Sequence, residues 1–142
     1  MLDSLLIVRG ETNRSFTVGV GIDVPHPMHE AMALLAPPVA MPVTMMPPKT
    51  GSSGWLLHID SRNVIHTHLK PILDSGRIVG FRMRLLETAG RAAVVSVSAF
   101  RSIGRANKVD FQGQVLDECS IDSGKAKLSM SGHEWAQLEA YW

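Results

Sequence analysis

Several side chains in this 142-residue sequence are of types that do chemistry, and their spacing says what that chemistry would require. His66-Thr67-His68 on a strand would present both imidazoles on one side, roughly 7 Å apart. They are weak candidates for two zinc ligands, but a tetrahedral site needs about two more, which the sequence does not supply. Solvent-facing histidines are the ordinary alternative. Glycoside chemistry needs two carboxyl groups about 5 Å apart. Asp60, Asp74, Glu87, Asp110, Asp117 and Glu118 stand beside turns or strand ends, where carboxylates are normally solvated. No catalytic residue is assigned to this chain. Arg82 and Arg84 form a cationic stripe whose guanidinium forks suit sugar hydroxyls or the carboxylates of a neighbouring domain, or simply a solvated strand face. Trp135 and Tyr141 share one face of the last segment if it is a strand. Six residues set them roughly 20 Å apart, a span for an extended glycan rather than one sugar ring.

These residues need strands to hold them. The stretch Gly76–Phe100 alternates Phe81, Arg82, Met83, Arg84, Leu85 and then sets Ala93, Val95, Val97 and Ala99 against Val94, Ser96 and Ser98. Period two predicts strands. Thr88-Ala89-Gly90-Arg91 between them reads as a tight turn, so the expectation is one long β-hairpin with an apolar face covered by a second sheet.

The run RLLETAGRAAVVSVSAF, with NVIHTHLKP before it and RANKVDFQGQVLDE after it, resembles the C-terminal β-domain of the family 38 glycoside hydrolases, the α-mannosidases. The matching positions are Val64, Lys70, Pro71, Arg84, Glu87, Gly90, Ala106, Val109 and Asp110, and SFTVGVGIDVPHP looks like the strand opening that region. The resemblance covers most of the chain. It implies a non-catalytic domain of a zinc-dependent retaining enzyme, whose nucleophile and metal ligands lie upstream. Zinc is thus implied for the parent catalytic domain, and no cofactor for this chain.

Elsewhere, Leu5–Val8 reads as a short core strand and Ser15–Asp23 as a second one, with Phe16, Val18, Val20 and Ile22 on one face. Pro27–Ala36 fits a short helix with Pro27 in its first turn and Glu30 near its positive end. From Ala31 to Pro48 no residue is charged, but five prolines bar a membrane-spanning helix. That segment, with Met32, Met41, Met45 and Met46, reads as a loop that covers its own domain or docks a partner. Lys49–Gly54 is loop by composition. Trp55–Asp60, Val64–Lys70, Lys108–Phe111, Gln114–Leu116 and Ala126–Met130 read as strands, and Asp122-Ser123-Gly124 as a turn. Residues 131–142 satisfy both a helix signature and an alternating one; local propensity favours the helix, whereas the resemblance implies a closing strand, and the strand is the expectation, with tertiary pairing overriding propensity.

Composition narrows the partners. With 14 Lys+Arg against 13 Asp+Glu, the chain has no basic excess with which to neutralise a phosphate backbone, so nucleic acid is not an expected partner. The single Cys119 allows no intrachain disulfide. Met1-Leu2-Asp3 lacks a basic leader region, and Leu5–Val8 is too short for a signal core. The expectation is an all-β protein, an antiparallel β-sandwich over residues 1–142 with one short helical or irregular crossover near residues 27–48. It would be a C-terminal fragment of a larger enzyme. Its partners would be the parent's catalytic domain, a glycan or a second copy, without nucleic acid or membrane. A free-standing carbohydrate-binding module is the alternative.

Overall fold

Alternating burial shows why residues 57–141 become strands. Along Phe81, Met83, Leu85 and Glu87 every second side chain is buried, and so it is along Val95, Val97 and Ala99. The computed structural model describes residues 9–10, 12, 15, 17–36, 39–40, 42 and 55–142. It divides the chain into two compact units, residues 1–38 and 39–142.

The second unit is an all-β antiparallel sandwich. Its strands are β1 (Leu57–Ile59), β2 (Val64–Asp74), β3 (Arg77–Glu87), β4 (Ala93–Ala99), β5 (Arg105–Val109), β6 (Val115–Glu118), β7 (Ser120–Asp122), β8 (Lys125–Met130) and β9 (Trp135–Tyr141). One sheet has the order β1-β4-β8-β7, the other β2-β3-β9-β5-β6. The core between them joins Phe81, Met83 and Leu85 to Val95, Val97, Leu128 and Leu138, each nearly or fully buried. Burying one such side chain contributes about 1.5–3 kcal/mol. The final segment is strand β9, paired with β3 on one side and β5 on the other. Central pairing on both edges outweighs its local helix signature.

The expected Gly76–Phe100 hairpin is not formed. β3 and β4 lie in different sheets, and residues 88–92 carry the chain across the sandwich. Alternation establishes two strands but does not say which strand pairs with which. The hairpin is instead β2–β3, closed by Ser75 and Gly76 at φ 48° and 78°, both in the left-handed region that a two-residue turn of this hand requires. β2 runs through Pro71 to Asp74, beyond the expected end at Lys70. It is an edge strand, where a missing N–H is tolerated.

In the first unit, α1 (Pro27–Leu35) starts with proline in its first turn and Glu30 close behind, as expected. It ends with the Ala36 N–H donating to Met32 O at 2.8 Å. Thr17–Gly21 is not a strand, and Val18, Val20 and Ile22 are 71%, 90% and 87% exposed. Its alternation has no sheet to serve among the described residues. Leu5–Val8, Lys49–Gly54, Met41, Met45, Met46 and four of the five prolines of 31–48 lie outside the described residues.

Candidate functional site

Among the described residues the most densely bonded side chain of the sandwich is Glu87, the last residue of β3. Alternation aims it inward after Leu85, and it is 0% exposed. One carboxylate oxygen accepts from Asn63 Nδ2 and the Ala89 N–H, each at 2.8 Å. The other accepts from the N–H groups of Gly90 at 2.8 Å, Arg91 at 3.2 Å and His133 at 2.8 Å. Burial alone would raise the pKa of this carboxyl. The amide donors of His133 and Ala89, the Asn63 side chain and the Gly90 amide outweigh it and bring the pKa from 4.5 to about 2.

The donors come from three separate connections. Asn63 lies between β1 and β2, residues 89–91 between β3 and β4, and His133 between β8 and β9. Each of these links passes from one sheet to the other. Backbone bonds brace the same corner: Glu87 N–H donates to Glu134 O at 3.0 Å and Thr88 N–H to Asn63 O at 2.8 Å. Gly90 sits at φ 69° with the His133 ring against it, 2.7 Å from where a Cβ would stand. The position next to a glycine turn suggested a solvated Glu87. Only its place in the inward-facing set with Phe81, Met83 and Leu85 pointed the other way.

The arginine stripe lies on the outer face of the larger sheet. Arg82 Nε donates to Glu139 Oε1 at 2.7 Å and Nη2 pairs with the same oxygen. Glu139 is 8% exposed, and Tyr141 OH donates to its other oxygen at 3.0 Å. Burial first, then the Glu139 hydrogen bond and charge, push the Tyr141 pKa up. Arg105 stacks on the Tyr141 ring, 4.7 Å from its centroid. Arg84 stacks 4.7 Å over Phe111, which belongs to the 110–114 loop, and its Nε makes no hydrogen bond. The structure therefore gathers Arg82, Arg84 and Tyr141 on one face. Trp135 has the same parity at the opposite end of β9, paired with Leu86 and 49% exposed, so the two aromatics stand at the two ends of the strand.

His66 and His68 are both exposed. A bulge at Thr67 sets them opposite the neighbouring residues Leu85 and Arg84, which breaks the simple two-residue repeat that put them on one face. Among the described residues no group of three or more His, Cys, Asp or Glu side chains is placed to hold a metal.

At the end of β3 away from Glu87 the sandwich opens into a groove of about 690 Å³. Leu57, Pro71, Ile78, Phe81, Phe100 and Trp142 make it apolar, and Lys70, Arg77 and Arg101 also line it. Trp142 is fixed there by its indole N–H donating to Ile78 O at 3.2 Å and its amide to Val79 O at 3.2 Å. Sequence reading missed the groove. Of the apolar run Ile78-Val79 only Ile78 lines it, and its other walls come from residues far apart in the sequence, which no local pattern announces. No protein-family model matches the chain, and neither does any curated protein or solved structure.

Proposed function

We propose that this chain is the non-catalytic C-terminal β-domain of an α-mannosidase-like glycoside hydrolase, supporting a catalytic domain elsewhere in the same protein. The observation that carries the reading is the structural role of six of the nine positions on which the resemblance rests. Glu87 and Gly90 form the clip that joins three sheet-crossing links. Val64, Ala106 and Val109 are 1%, 1% and 2% exposed. Asp110 Oδ1 organises its loop by accepting the N–H groups of Gln112 at 2.9 Å and Gln114 at 2.8 Å. These residues build a scaffold, which is what a supporting domain needs. No step of catalysis is assigned to them.

The test is hydrolysis of 4-nitrophenyl α-mannoside by the longer gene product and by the 142-residue chain. Activity in the longer product, absent from the 142-residue chain and made more heat-labile by Glu87→Gln, is the expected result. Absence of hydrolysis by a folded, zinc-supplied longer product overturns the reading.

A further inference from the structure

The groove at the open end of the sandwich combines two features that a solvated surface does not need together. Its apolar side chains are left open, with Leu56 59%, Ile78 54% and Phe100 53% exposed. Its three cations, Lys70, Arg77 and Arg101, are all exposed. Among the described residues none of them forms an ion pair, whereas Arg82, Lys108 and Lys127 each have a carboxylate partner. Among the described residues no Asp or Glu lines the groove. Arg101 is held at the mouth over two rings, 5.4 Å from the Phe100 centroid and 5.7 Å from that of Trp142. Both walls and charge are thus set before anything binds. A second copy docked groove to groove would bring the same three positive charges to the contact, so charge opposes that symmetric pairing.

We propose that this groove docks a polypeptide segment of the parent protein outside this chain, one that places apolar side chains on Phe100 and Trp142 and carboxylates against Lys70, Arg77 and Arg101. The inference rests on the reading of the chain as a supporting domain.

Zero-length carbodiimide coupling of the longer gene product tests it, because only a carboxylate in ion-pair reach joins the Lys70 amine. The expected product is Lys70 linked to an Asp or Glu upstream of residue 1. Its yield should fall about ten-fold in the Arg77→Glu/Arg101→Glu double variant, as charge reversal repels the segment. Lys70 that is acetylated as fast in the longer product as in the 142-residue chain, without a cross-link, overturns the proposal. So does a link to Asp3, Glu11, Asp23 or Glu30 or to a second copy. Dodecanoate shielding Lys70 in the 142-residue chain, with no link in the longer product, also overturns it and gives the groove to a lipid. A reading frame that begins at Met1 overturns both docking and parentage. Mannosidase activity without the link removes docking alone, and the link without activity removes only the mannosidase reading.

Discussion

The Glu87 carboxylate accepts the amide N–H of His133 at 2.8 Å, from a residue 46 positions later. That bond fastens the β8–β9 crossing to the β3–β4 crossing, and Asn63 adds the β1–β2 crossing through the same side chain. A charged acceptor serving several amides is a strong local tie. Its removal leaves buried N–H groups unpaired.

Glu87→Gln removes the charge and turns an amide –NH2 toward amide donors. The expected outcome is a folded but weakened domain with Tm lower by roughly 10 °C, and a larger fall for Glu87→Ala. Thermal unfolding followed by circular dichroism checks this. An unchanged Tm would mean that the clip contributes nothing.

Stability should depend on acid in a defined window. The folded-state pKa of Glu87 is about 2 against 4.5 for the free group, so between those values the unfolded chain binds the extra proton. The contribution is complete above pH 4.5 and is lost as pH falls toward about 2. Asp122, lowered by the Lys127 hydrogen bond, acts in the same direction. So does Glu134, where burial opposes and the Lys108 hydrogen bond lowers. Urea unfolding at stepped pH should show the slope, with a smaller slope in Glu87→Gln. Equal slopes for the two proteins would remove Glu87 as its source.

Gly90→Ala places a Cβ 2.7 Å from His133 Nε2 at φ 69°. The left-handed backbone costs about 1–2 kcal/mol for a non-glycine residue, and displacement of the imidazole adds to it. Chemical denaturation measures the loss, and Gly76→Ala, in the β2–β3 turn at φ 78° with nothing within 4 Å of its Cβ position among the described residues, is the control for substitution at positive φ alone.

Much of the sandwich was legible because burial follows residue parity. Val95 and Val97 are inward and Ser96 and Ser98 are not, but β9 departs from parity, with Gln137 and Glu139 buried as well as Ala136, Leu138 and Ala140, because strands flank it on both sides. Connectivity was not legible. The link after Glu87 looks like a hairpin turn in sequence, yet its amides converge on a carboxylate that steers the chain to the opposite sheet. Arg82 and Arg84 were readable as one face of their strand, and Trp135 and Tyr141 as one face of theirs, but not that the two strands adjoin, since the partner that occupies Arg82, Glu139, comes from a strand 57 residues away. The bulge at Thr67 likewise depends on β3, and nothing local to His66 and His68 announces it.

Leu138 is fully buried at the centre of β9, facing Met83 across the strand pair. Leu138→Ala should cost about 2–5 kcal/mol by loss of burial and creation of a cavity. Val94→Ala, on a side chain 68% exposed, should stay within about 0.5 kcal/mol of the parent sequence. Equal effects in urea unfolding would contradict the assignment of the core.

A domain that serves a hydrolase, as proposed, would have an open frame immediately upstream of its Met1 codon. That frame would continue through a large domain with a metal-ligating His-x-Asp pair and an aspartate nucleophile, and sequencing that DNA is the direct test. A stop codon and ribosome-binding signal directly before Met1 would contradict the proposal.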